Sequence, residues 1–555
     1  MLDSAAPSPS TAPADAPIVV DQFREILIWP VQLMPLTPGA QIHNHWERLE
    51  GPDNPWQEVV DEFTEDCADF SERHYIEFTS FTPQVQRFLY GEGTTDASRP
   101  GYGASPIKVF RRYDVTSVRV TLQAGSAPIE LKIAHVDLYF FYDIDIAILV
   151  VEVGGHGLPL AEVQDLLFRF GRTYPTAWNE DGSAAQCCHR IEWLGPDGQV
   201  VCSSDNERKA KFLAFVCRHR APYISAHWAF LLQPLALHHS EETGQIRYRQ
   251  LEYQRMPLLA WLSVPEPERL ERGDWVRLGL AAPPGRSGSL PFSRRHLASF
   301  ESRYCYDRYW DEGGDLAGLA SRMLCSGAVF VMVGGAEDRA FTDLEIGLLG
   351  QFRHQYFLLG LIAHLHRAAL LMLSDRLVDS VSRLDINDVE SVKGFKRDIR
   401  QLQEIFLRFT HRYWFHDVSI HRASSDLFRM WTSHLDTDRL YNEVREEVHD
   451  MSHYLDSDGL RRQANSVLRL TVVTIFGLAG TLATGLLGMN LLDATEAPML
   501  DRLILFLLAF VPALALIVYT VIKAKRLADF LEALSDERLS ATKKLDQLRR
   551  VWTRG

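Results

Sequence analysis

Thr474, Leu478, Thr481, Gly485 and Gly488 succeed one another at spacings of 4, 3, 4 and 3 residues. Those spacings place all five on one face of an α-helix. Val467 and Leu470 or Thr471 continue the same face toward the start of that helix. Two kinds of chemistry suit such a row. Small residues let a second helix approach closely, and threonine hydroxyls can instead face a water-filled path. Two apolar helices per chain cannot enclose a pore, but a ring of chains can, with this face turned inward.

Two apolar runs must hold this face in place. Leu470–Leu487 is 18 residues long, and Leu503–Ile522 is 20 residues long and carries no charge. At about 1.5 Å of rise per residue, each is long enough for about 30 Å of hydrocarbon. The short link Gly488–Arg502 makes them a two-helix C-terminal transmembrane hairpin. Arg461, Arg462 and Arg469 precede the first run, and Lys523, Lys525 and Arg526 follow the second, whereas no Lys or Arg lies between Gly488 and Asp501. Basic residues collect on the cytoplasmic side, so both ends are expected there, in an inner (plasma) membrane of bacterial type crossed more than once.

Gly488-Met489-Asn490 stands at the outer end of the first run, and a short acidic loop follows it. In these residues the chain resembles the CorA family of divalent metal ion channels, whose signature is a Gly-Met-Asn triplet in this place. The resemblance covers about 435–526. It implies a funnel-shaped homopentamer whose α/β cytoplasmic domain continues into long stalk helices and the membrane hairpin. The parts would be a stalk helix over 435–469, a pore-lining helix over 470–490, an external loop over 491–502, a second membrane helix over 503–522 and a cytoplasmic tail over 523–555. Gly488, Met489 and Asn490 would form the selectivity filter. Thr481, Leu478, Thr474, Leu470 and Val467, with Gly485, would line the conduit. The sequence departs from the family's habit in having Leu487 before the triplet and no proline between Asn465 and Asn490.

The physics of such a filter is simple. Mg²⁺ sheds its water reluctantly, so a ring of Asn490 carboxamides does best by accepting hydrogen bonds from the hydrated ion. The loop acids Asp493, Glu496 and Asp501, repeated around a ring, would concentrate cations outside. A divalent ion moving inward gains roughly 4.6 kcal/mol per 100 mV, so no ATP is needed. No G-x-x-x-x-G-K-[ST] loop is present to bind it. In the family, regulatory Mg²⁺ between subunits holds the pore shut; the matching acids here would be Asp436, Asp438, Glu446, Glu447, Asp450, Asp456 and Asp458. The expected partners are thus divalent cations (Mg²⁺, with Co²⁺ or Ni²⁺ tolerated), the lipid bilayer and other copies of the chain, with no organic cofactor. A proton-coupled Zn²⁺ transporter of the same superfamily is one competing reading. A non-conducting, membrane-anchored sensor or scaffold is another.

The remaining motifs carry less. Cys187-Cys188-His189 with Cys202 is a poor zinc pattern because adjacent cysteines do not match the usual ligand spacing. His411, His416 and His421 are five apart, so on a helix they do not stack. No G-x-S-x-G and no triad is present, and no enzyme is expected. The chain of 555 residues carries 58 Lys and Arg against 72 Asp and Glu, a net charge of −14, which excludes a protein built to coat nucleic acid. Seven scattered cysteines are not a disulfide framework. Residues 1–20 read as a disordered Ala/Pro/Ser leader with no secretory signal.

Ahead of the membrane part, 21–340 alternates strand-like and helix-like stretches and is expected to be the α/β domain. Val118–Leu122, Ile129–Ile133, Val136–Phe141 and Ile144–Val153 read as strands, the last covered on both faces and stopped by Gly154-Gly155. Leu158–Phe170 fits an amphipathic helix. Ala229–Leu232, Trp275–Leu280 and Val329–Val333 read as further strands. The span 341–434 reads as long helices, one beginning with Leu344, Ile346 and Leu349 and one carrying Phe395, Ile399, Leu402, Ile405 and Phe406. Phe357–Leu373 is apolar enough to enter a membrane, but His364, His366 and Arg367 favour a buried helix of the soluble part. Leu440, Val444, Val448, Met451 and Leu455 form one narrow apolar seam.

Overall fold

The computed structural model describes residues 17–453 except 35–43, 50–53, 60–69, 93–102, 239–245, 253, 312–319 and 386–387, together with separate positions between 467 and 519. It divides into two units, Met1–His449 and Asp450–Gly555.

Among the described residues, the first unit is built on one 14-stranded mixed sheet. Its strands are β1 (Val19–Met34), β2 (Trp56–Glu58), β3 (Ile107–Arg112), β4 (Ser117–Thr121), β5 (Ile129–Phe141) and β6 (Ile144–Pro159). There follow β7 (Arg190–Leu194), β8 (Val200–Ser203), β9 (Ala236–Leu237), β10 (Arg247–Gln250), β11 (Leu258–Val264), β12 (Cys305–Tyr306), β13 (Ser321–Cys325) and β14 (Val329–Gly335). The main path runs β12-β13-β14-β11-β1-β6-β5-β4-β7-β8, with β3 also on β5. β11 and β14 are parallel, while β1, β6 and β5 pair antiparallel at the centre.

Period-two alternation assigns the two faces. On one, Phe23 and Leu27 of β1 and Val151 and Val153 of β6 share a core with Val163, Leu166 and Leu167 of the helix Leu160–Arg169. On the other, Ile26 and Val150 turn toward Phe357, at the start of the 26-residue helix Phe357–Ser382. Both faces are therefore covered, which is why β6 reads as a continuous apolar run.

The fold expected for the whole chain, an α/β domain with stalk helices and a two-helix membrane hairpin, is not the architecture found. Among the described residues one helix is long and apolar enough to cross a membrane, Leu348–Ser382, and 78% of its apolar window is buried inside the domain. The long helices do not stand away from the sheet as a stalk. Phe395, Ile399, Leu402, Ile405 and Phe406 of the helix Val389–Arg412 are all buried. In the helix that starts at 437, Val444 and Val448 are buried, and Tyr441 stacks on Trp414 with ring centroids 4.6 Å apart. The part of the apolar seam held by the first unit is therefore buried at Val444 and Val448, while Leu455 lies outside the described residues.

Local corrections have local reasons. β6 continues through Gly154-Gly155 because β1 runs alongside it, pairing Arg24 with Gly154 and Phe23 with Gly155. Gly155 marks a close approach: a Cβ there would sit 2.9 Å from Leu131 Cδ2. Ala229–Leu232 and Trp275–Leu280 lie in helices, Ala226–Leu232 and Arg272–Leu280. Short apolar runs do not separate strand from buried helix by period. The first of these helices is capped from a distance, by the Asp205 carboxylate accepting from Ala226 N at 2.8 Å. The second has a local capping box, Glu271 with Asp274. Leu344 and Ile346 precede their helix and are exposed; it begins at Leu348 and passes through a π-turn, Phe352–Tyr356.

Candidate functional site

Opposite the Leu160–Arg169 face, the sheet floors a cavity of about 510 Å³. Four strands supply the floor. His135, Asp137 and Tyr139 lie at alternate positions of β5 and so share one face, with a register shift between Ile133 and His135 at its edge. Ladder register then fixes the neighbours: Arg111 of β3 faces Asp137, while Glu152 of β6 faces both His135 and Ile26 of β1. The helix Glu72–Thr79 contributes Arg73, His74 and Glu77, and the π-turn contributes Arg353 and His354. π-turns often mark functional positions because the extra residue rotates side chains out of helical register.

The charges are arranged in layers. Arg111 holds Asp137 through a two-pronged pair, Nε to Oδ1 at 2.7 Å and Nη2 to Oδ2 at 2.8 Å. Glu152 takes three basic neighbours. Arg353 donates to it at 2.7 and 3.2 Å, Arg24 donates at 3.0 Å, and His135 Nε2 lies 2.7 Å from Oε2. Glu77 accepts from the Tyr90 hydroxyl at 2.7 Å and has His354 at 3.2 Å and Arg73 at 3.9 Å. Arg73 also reaches His74 Nε2 at 2.7 Å. Burial by itself would raise the pKa of Glu152, but the hydrogen bond and charge of His135 and the Arg353 guanidinium hold it well below the usual carboxylate range. Asp137 raises the pKa of Arg111. Burial lowers that of Arg24 despite Glu152.

None of these residues was singled out by sequence motif. Their signal was weaker: charged residues set into apolar strands, as Glu152 in IDIAILVVEV and Asp137 in HVDLY. A buried charge needs a partner, and here the partners come from other strands and from the π-turn.

The residues expected to do chemistry are distributed differently. Gly488, Met489, Asn490, Asp493, Glu496, Asp456 and Asp458 lie outside the described residues. Val467, Leu470, Thr474, Leu478, Thr481 and Gly485 are helical and exposed. The two threonine hydroxyls donate to carbonyls one turn back, Thr474 to Leu470 at 2.8 Å and Thr481 to Gly477 at 2.9 Å. Asp501 is helical and exposed. Of the proposed regulatory acids, Asp436 ends a helix in left-handed conformation and pairs with Arg439 at 2.6 Å. Asp438 offers its carbonyl to Asn442, and Glu446, Glu447 and Asp450 are exposed. Among the described residues no group of three His, Cys, Asp or Glu side chains gathers as a metal site. Cys187 and Cys188 are buried, and burial pushes the Cys187 thiol up to about 11.

No family model and no curated protein matches this chain.

Proposed function

We propose that this protein passes divalent cations, Mg²⁺ foremost, across a membrane through a path formed by several copies of the chain. One observation carries the reading. Val467, Leu470, Thr474, Leu478, Thr481 and Gly485 stand on one exposed helical face that runs toward Gly488-Met489-Asn490. Leu470 is 68% and Leu478 67% exposed, and Leu503, Leu508 and Val511 of the second apolar run are exposed as well. Uncharged surface of that extent is unfavourable in water, so lipid and neighbouring copies are its natural cover. In this reading the Asn490 carboxamide meets the hydrated ion, and the membrane potential drives it. The resemblance suggests five copies.

The test is uptake of Mg²⁺ and of Zn²⁺ by vesicles holding the purified protein, with membrane potential and pH gradient set separately. Entry of Mg²⁺ driven by potential and abolished by Asn490→Ala supports the proposal. Entry of Zn²⁺ that requires the pH gradient favours the proton-coupled alternative. No flux of either ion through a folded oligomer rejects transport and moves attention to the first unit.

A further inference from the structure

We infer that the cavity over β3, β5, β6 and β1 is a binding site for a small organic oxyanion, a phosphate ester or polycarboxylate up to the size of a nucleotide. The layering of its charges carries this. In each pair at the site the basic residue is the outer partner. Arg111 keeps 30% of its side-chain surface exposed against 3% for Asp137. Arg353 and His135 keep 22% and 25% against 1% for Glu152. His354 keeps 31% against 11% for Glu77. The carboxylates lie beneath, and their oxygens are already engaged. A molecule entering the cavity therefore meets donors, and it must bring acceptors.

The guanidinium groups have donors to give. Arg353 and Arg111 each use Nε and Nη2 in their two-pronged pairs, so Nη1 of each stands outside the pair. A guanidinium carries five N–H groups in a planar fork suited to carboxylate or phosphate. The one lining carboxylate without a cationic partner, Glu345, is exposed at the edge. Apolar residues share the lining with these donors: Ile26, Val150, Phe357 and Leu358. This combination of donors and apolar residues, in about 510 Å³, fits an oxyanion carried on an organic body better than a bare ion.

The experiment is calorimetric titration of the full-length chain in detergent with inorganic phosphate, AMP and citrate as separate probes, at low and at high salt. AMP or citrate should bind with saturation, one per chain, and more tightly than inorganic phosphate. Arg353→Gln and Arg73→Gln, on different elements, should each weaken that binding by about tenfold or more, the worth of one charge-assisted hydrogen bond. Arg353→Lys should keep part of it, and Arg119→Gln, on β4 and outside the lining, should change nothing. The inference is overturned if neither AMP nor citrate binds the folded chain. It is equally overturned if both variants, folded by circular dichroism, bind as the parent does, or if inorganic phosphate binds as tightly as the organic probes.

Discussion

Arg353 and Glu152 are 201 residues apart in sequence and meet through two hydrogen bonds, of 2.7 and 3.2 Å, that fasten the π-turn to the middle of the sheet. Glu152 is 1% exposed and also holds Arg24 and His135. A single carboxylate thus joins β1, β5, β6 and the π-turn that leads into the helix Phe357–Ser382.

Glu152→Gln should therefore destabilise the first unit by about 3 kcal/mol, the lower end for removing one partner of a buried ion pair. The lower end applies because Arg24, Arg353 and His135 keep 19 to 25% exposure and remain partly solvated. A shift of the denaturant midpoint at unchanged slope is the measurement; an unshifted midpoint contradicts this account of the site.

Acid should unfold the first unit. Burial pushes His45, His227 and His364 down to about 3 and His366 to about 4, so all four stay neutral in the folded chain. In the unfolded chain they take up protons below about 6.5. The contribution of these histidines to stability is thus fully present above about pH 6.5, and about 1.4 kcal/mol per histidine is lost for each unit of acidification below it. Melting temperature should fall steeply from about pH 6.5 to about pH 4, and a flat profile would count against these burials.

Glu25 runs the opposite way. It is fully buried on the Leu160–Arg169 face of β1, neither carboxyl oxygen has a hydrogen-bond partner, and burial raises it to about 8 despite Arg255. Its folded form keeps a proton that the unfolded form gives up above about 4.5, so stability is lost as pH rises from there through about 8. Glu25→Gln removes that loss. The variant should melt higher than the parent at pH 9 and differ less at pH 5.

Two glycines should respond with opposite sign to alanine. A Cβ on Gly273 would collide with the backbone carbonyls of Ser287 and Ser289, which cannot swing aside, so Gly273→Ala should cost several degrees of melting temperature or the folded yield. Gly394 lies inside the helix Val389–Arg412 with nothing within 4 Å of an added Cβ. Gly394→Ala should stabilise by about 0.5 to 1 kcal/mol.

Elements whose pattern is long and periodic are legible in residue order alone. β6 showed as an unbroken apolar run, and the helix Val389–Arg412 showed as a seam from Phe395 to Phe406, because burial writes its period directly into residue type. Residue order also placed Phe357–Leu373 inside the protein, since His364, His366 and Arg367 would be costly in hydrocarbon. Short apolar runs were not decided this way. Ala226–Leu232 is a helix partly because Asp205 caps it from outside the segment. The candidate cavity was wholly a matter of tertiary structure. Arg73, Arg111, His135, Glu152 and Arg353 sit on five elements with no shared spacing, and only strand register and the π-turn bring them together. Local spacing records what one helix or strand presents; which charges neutralise one another across a sheet depends on pairings that no local pattern encodes.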